Sequence, residues 1–152
     1  MTERTWACPM RSSITGHIRR QSDVLAWPHR CAVLALACGL DPIAVREVEL
    51  IAAELASNTL RHGGGGEVHA AYSEQPARCI ELTATDDGPG FDDIEHALMD
   101  GVSRGRRVEE LAIARGEGLG AGLGAIGRLA DELFVSNKLD GGAVVIARKY
   151  LP

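Results

Sequence analysis

Apolar residues between positions 41 and 62 recur at three- and four-residue spacing: Val45, Val48, Ala52 and Leu55. That period is one buried face of a long helix. Asp41 stands where a capping side chain is wanted and Pro42 at the first helical position, and the run Gly63 to Gly66 stops the helix. Residues 24–40 predict an earlier helix, with Val33, Leu34 and Leu36 in its apolar set, Ser22-Asp23 as the cap, Pro28 near the start and Gly39 at the end. Residues 12–20 predict a short strand before it. Residues 67–72 and 78–86 predict two further strands, with Ile80, Leu82 and Ala84 alternating inward in the second. A short helix is expected over 92–99. The stretch 101–118 is rich in Gly and Arg and is the least regular part, with a helical centre at 108–114. A helix over 122–133 follows, then strands over 133–137 and 143–150 joined by the turn Asp140-Gly141-Gly142.

This order predicts an α+β fold, a two-layer sandwich with a mixed, mostly antiparallel sheet and helices on one face. The 152 residues make one domain, with residues 1–10 as a flexible N-terminus. Hydrophobic residues at 45% and charged ones at 24% are those of an ordinary globular protein. A net charge of -5 points away from a direct nucleic-acid binder, which needs a basic surface. No segment is apolar enough for long enough to span a bilayer, and the first ten residues carry no secretory signal pattern, so a cytoplasmic protein with no membrane role is expected. Cys8, Cys31, Cys38 and Cys79 form no C-x-x-C pair and read as reduced, mostly buried thiols.

Three clusters carry candidate chemistry. Glu54 and Asn58 are four residues apart and share a helix face beside the apolar one. An Asn amide oxygen is a hard, neutral donor that suits Mg²⁺, and a carboxylate one turn earlier could orient or deprotonate an attacking hydroxyl. The plainer alternative is a surface hydrogen bond between an exposed Glu and Asn. In the second cluster, Thr85-Asp86-Asp87-Gly88-Pro89-Gly90, Asp86 continues the inward alternation of its strand. An inward carboxylate needs a partner, and an adenine amino group would supply one. Gly88 and Gly90 would let the backbone turn sharply against a flat base, unless this is a plain Asp-Gly turn. The third cluster, Gly116 to Gly124, runs into a helix whose free N–H groups form an anion site, which suits a lid over a triphosphate. Gly120, Gly122 and Ala125 also fit a dinucleotide fingerprint, but only a short tail follows, too little for the rest of such a sheet.

The ordered set of E-x-x-x-N, D-x-G-x-G and a G-x-G lid entering a helix resembles the GHKL ATPase superfamily. The segments around Glu54 to Gly66, Asp86 to Phe91, Asp100 to Ser103, and Gly118 to Glu132 more specifically resemble the anti-sigma-factor serine/threonine kinases of the RsbT-like switch-kinase branch, over nearly the whole chain. The resemblance implies ATP and Mg²⁺ as cofactors. It implies Glu54 as general base, Asn58 as the Mg²⁺ ligand, Asp86 on the adenine amino group, and Gly88 and Gly90 as the shape of the adenine pocket. Residues Gly118, Leu119, Gly120, Ala121, Gly122, Leu123 and Gly124 would cover the phosphates, and residues 101–120 would form the ATP lid.

The substrate implied is a Ser or Thr on a STAS-domain antagonist protein, with a sigma factor or a PPM-type phosphatase as regulatory partner. An insertion between Ser103 and Gly118 departs from the family pattern. Its Arg104, Arg106, Arg107 and Arg115 would contact phosphates or an acidic partner, or form a solvated basic loop. His62 reads as a helix-ending histidine near the C-terminal dipole. A homodimer through sheet edges is left open, as is a non-catalytic ATP-binding switch module in place of a kinase. No dimerisation helix with a phosphoacceptor His and no transducer domain is seen, which points away from histidine kinases and gyrase-type ATPases.

Overall fold

A computed structural model describes residues 12–99 and 122–152, together with the backbone of the two-residue strands Val102–Ser103 and Arg106–Arg107. The elements run β1 (Ser13–Ile18), α1 (Gln21–Ala37), α2 (Pro42–Gly63), β2 (Gly66–Ser73), β3 (Cys79–Asp86), α3 (Ile94–Leu98), β4 (Val102–Ser103), β5 (Arg106–Arg107), α4 (Gly122–Leu129), β6 (Glu132–Asn137) and β7 (Ala143–Tyr150). The principal sheet has the order β1-β2-β3-β7-β6, and β4 pairs with β5 separately. All four pairings of the principal sheet are antiparallel, so the mixed sheet expected from sequence is antiparallel throughout. That also disposes of the dinucleotide fingerprint, which belongs to a parallel βαβ unit.

The second helix forms as its pattern predicts. Asp41 Oδ1 accepts the Ala44 N–H at 2.9 Å, and Gly64 closes the helix in the left-handed region at φ 72°. Val48, Ile51, Ala52 and Leu55 are at most 1% exposed. Each such aliphatic side chain contributes about 1.5–3 kcal/mol by leaving water.

The first helix departs from expectation in two ways. Its buried stripe is Val24, Trp27, Cys31 and Ala35, while Val33 and Leu36 face solvent and Leu34 is half-buried. The densest aliphatic run does not choose the face. Trp27, with the largest apolar surface, does, and the three- and four-residue steps from it define the stripe. The helix also starts earlier, at Gln21. Asp23 therefore lies inside the first turn, where its Oδ2 accepts the backbone N–H groups of Arg19 at 2.9 Å and Arg20 at 3.1 Å. Pro28 consequently falls in mid-helix rather than near the start. Cys31, Cys38 and Cys79 are buried free thiols as expected, and burial pushes the Cys31 thiol up to about 12. Cys8 lies outside the described residues.

Helices α1, α2 and α4 cover one face of the sheet, with Ile18, Val68, Ile80, Leu82 and Ala147 beneath them. On the opposite face Arg148 links three strands. Its Nε meets Glu81 Oε2 at 2.8 Å, its Nη1 meets Glu132 Oε2 at 3.1 Å, and its guanidinium lies 5.1 Å from the centre of the Phe134 ring. The next residue, Lys149, points to the helix side. Its Nζ donates to the Leu129 carbonyl at 3.1 Å and lies 2.6 Å from Glu47 Oε2 and 3.6 Å from Asp131 Oδ1. This one ammonium ties the end of α4 to α2 and to the start of β6. No helix among the described residues is long and apolar enough to cross a membrane.

Candidate functional site

The last three turns of α2 place Glu54, Asn58 and His62 one above the other, one turn apart. Asn58 and His62 line a small cavity of about 20 Å³ with Leu55, Thr59, Ala84, Asp86, Phe91 and Val145. The walls are mostly apolar, with an amide, an imidazole and a carboxylate converging on them. The volume accommodates about one water, so a larger ligand must part the walls. Thr59, the one buried polar side chain of the described core, is satisfied internally, its Oγ1 donating to the Leu55 carbonyl at 2.8 Å.

Glu54 lies outside this cavity, one turn back, and is half-buried. Burial pushes its carboxyl up, and the nearby Arg61 pulls it part of the way back. A carboxylate with raised proton affinity is a better proton acceptor near neutral pH than an exposed one.

Asp86 ends β3, opposite Gly66 of β2. Its Oδ1 accepts the Gly88 N–H at 2.9 Å, so part of the partnership an inward carboxylate needs comes from the turn that follows it. Glycine here is a matter of space. A Cβ on Gly63 would come within 2.5 Å of the Asp86 Cβ and Cγ, and one on Gly88 within 2.7 Å of the Gly63 Cα. The end of α2 and the loop after β3 interlock through these two residues. Gly90 takes φ 75°, as its sequence position suggested.

The β6–β7 hairpin holds the same loop from the other side. Asn137 Oδ1 accepts the Phe91 N–H and its Nδ2 donates to the Phe91 carbonyl, both at 2.8 Å, and Lys138 pairs with Asp87. Gly63 reads from the sequence only as a helix stop and Phe91 only as the end of the segment from Asp86, and neither they nor Asn137 is a candidate site residue there. The four-glycine run offered a signal, since one glycine suffices to stop a helix. Asn137 offered none, because its partner is 46 residues away.

Gly118, Leu119, Gly120, Ala121, Arg104 and Arg115 lie outside the described residues. Arg106 and Arg107 form β5, opposite Ser103 and Val102, and only their backbone is described. Gly122 opens α4 at φ 58°, and Gly124 is buried in the first turn. The Leu123 side chain is 3% exposed and belongs to the core, while its backbone lies in the first turn of α4. A larger open cleft of about 450 Å³ borders His17, Arg19, Gly66, Glu67, Thr85 and Asp87. His17, Glu67 and Thr85 alternate away from the helices, so this cleft opens on the uncovered side of the sheet, away from Asn58 and Asp86.

Asn58 on the second helix and Asp86 at the end of the third strand thus line one cavity of an antiparallel two-layer sandwich. Residues 21–149 match the histidine kinase-like ATPase domain, and the chain belongs to that family. It is 26% identical over 135 residues to the serine/threonine-protein kinase RsbT of Bacillus subtilis, covering 88% of this chain and 93% of RsbT. Among solved structures it is similar to a chain of the SiaB-SiaC complex from Pseudomonas aeruginosa, with a TM-score of 0.55 and 16% identity over 89% of this chain and 88% of that one. The latter likeness concerns the fold.

Proposed function

We propose that this protein is an ATP-dependent serine/threonine protein kinase of the partner-switching type. The observation that supports it is the convergence of Asn58, His62 and Asp86 on one mostly apolar cavity, with a proton-avid Glu54 one turn along the same helix. The similarity to RsbT over 93% of that protein supports the choice of a protein substrate.

The residues suit Mg-ATP. Asp86 accepts hydrogen bonds at a pocket whose other walls, Leu55, Ala84, Phe91 and Val145, are apolar, which fits an adenine with its exocyclic amine toward the carboxylate. Asn58 offers one neutral oxygen, and Mg²⁺ takes few protein ligands because it keeps waters and phosphate oxygens. Bound Mg-ATP supplies the phosphoryl group and neutralises charge as it transfers. Glu54 accepts the proton of the substrate hydroxyl. The start of α4 presents backbone N–H groups to phosphate, with residues 118–121 and the arginines at 104, 106, 107 and 115 assigned to the same lid. The substrate is a Ser or Thr on a STAS-domain protein, with a sigma factor or a PPM-type phosphatase downstream, in the cytoplasm.

Calorimetric titration of Mg-ATP into wild type, Asn58→Ala and Asp86→Asn tests the site. Binding by wild type that is lost in both variants is expected. A phosphotransfer assay with STAS-domain proteins tests the activity, and Glu54→Ala is expected to bind nucleotide yet transfer nothing. Transfer undiminished in that variant removes Glu54 from the mechanism.

A further inference from the structure

We infer that Asn137 is a positioning residue for nucleotide binding, acting through Phe91. The inference rests on the proposed adenine site and adds a residue that takes no part in the three sequence clusters. Asn137 is the last residue of β6, and its side chain behaves as a short extra strand. Oδ1 accepts the Phe91 N–H and Nδ2 donates to the Phe91 carbonyl, both at 2.8 Å, so one amide satisfies both backbone groups of one residue. Only a side chain that carries an acceptor and a donor on one rigid plane can do this, which among residues of this length means Asn.

What Asn137 holds is a wall of the cavity. Phe91 packs against the core and lines the same cavity as Asn58. Phe91 follows Gly90, which takes φ 75° with nothing in its own side chain to fix the loop. A Cβ on Gly90 would lie 2.7 Å from Asn137 Oδ1, so glycine and clamp are fitted to each other. Both bonds are solvent-exposed and compete with water, so they decide the position of one loop more than global stability. The clamp fixes the main chain of Phe91, so a base that parts the cavity walls meets a loop whose backbone is already placed.

The test compares wild type, Asn137→Ala and Asn137→Asp by Mg-ATP titration, steady-state phosphotransfer and hydrogen exchange at the Phe91 amide without nucleotide. Asn137→Ala is expected to melt within a few degrees of wild type, to lose protection at the Phe91 amide, and to raise the Kd and KM for ATP about fivefold while kcat at saturating ATP holds within about twofold. Asn137→Asp keeps an acceptor for the Phe91 N–H but sets a carboxylate oxygen against the Phe91 carbonyl, so it is expected to restore neither the protection nor the affinity of wild type. Wild-type affinity in Asn137→Ala overturns the inference, as does a fall in kcat with KM unchanged. A wild type that binds no Mg-ATP overturns the nucleotide site itself and this role with it. It is told apart from the other failures because it occurs in the unmutated protein.

Discussion

Gly63 at the end of α2 and Asp86 at the end of β3 are packed so closely that no side chain fits on the glycine. A Cβ there would stand 2.5 Å from the Asp86 Cβ and Cγ. The glycine that ends the helix therefore also sets the carboxylate in the cavity. Gly63→Ala is expected to force the two elements apart, costing about 1–3 kcal/mol of stability. Because Asp86 moves, Mg-ATP affinity should fall about tenfold, equivalent to about 1.4 kcal/mol. A thermal melt and a titration check both numbers. An alanine variant matching wild type in both would mean the helix end can yield without disturbing Asp86.

Glu54 is held half-buried with its carboxyl pushed up by burial. Its folded pKa is above its unfolded value, so the sign is that of a group whose charged form is disfavoured by folding. Protonated Glu54 favours the folded state at acid pH, and this contribution is lost as pH rises through the raised folded pKa. Glu54→Gln should therefore melt about 1–3 °C higher than wild type at pH 8, with the gain shrinking toward pH 4. The same variant should bind Mg-ATP and fail to transfer phosphate. In wild type the acid limb of the kcat profile should follow the raised carboxyl, with activity increasing as pH rises. A variant no more stable than wild type at pH 8 would count against the buried carboxylate.

Lys149 is a structural cation, bonded to the Leu129 carbonyl and close to Glu47 and Asp131. Lys149→Met keeps the stem and removes the cation beside Glu47 and Asp131 and the donor to the Leu129 carbonyl, while Asp131 Oδ2 keeps the Tyr150 N–H. A loss of about 1–3 kcal/mol in urea unfolding is expected. A double-mutant cycle with Glu47→Gln should return a coupling of about 0.5–3 kcal/mol. Additive effects of the two substitutions would show that the pair does not tie α2 to the end of α4.

Leu123 distinguishes core from phosphate contact at the start of α4. It is 3% exposed, so Leu123→Ala should cost about 2–5 kcal/mol. A variant at the same position that weakened ATP binding without lowering the melting temperature would put the side chain, as well as the backbone, against the phosphates.

The order and type of the four helices and of the five strands of the principal sheet could be read from the chain by itself, because their periods are local, whereas β4 and β5 fall in a stretch read as irregular. The alternation of Ile80, Leu82 and Ala84 makes a strand wherever it sits, and the spacing of Val48, Ala52 and Leu55 makes a helix. The same locality made Glu54 and Asn58 visible as a pair and carried the resemblance on which their roles rest. Tertiary structure alone decided the rest. It turned α1 on Trp27 and left Val33 and Leu36 in solvent, because a helix face is chosen by the surface it meets. It made the sheet antiparallel throughout, because strand order depends on contacts far apart in the chain. It drew Leu123 into the core and joined Asn137 to Phe91 across 46 residues. A hydrogen bond at that separation leaves no period in the sequence, since neither partner's neighbours are constrained by the other until the chain has folded.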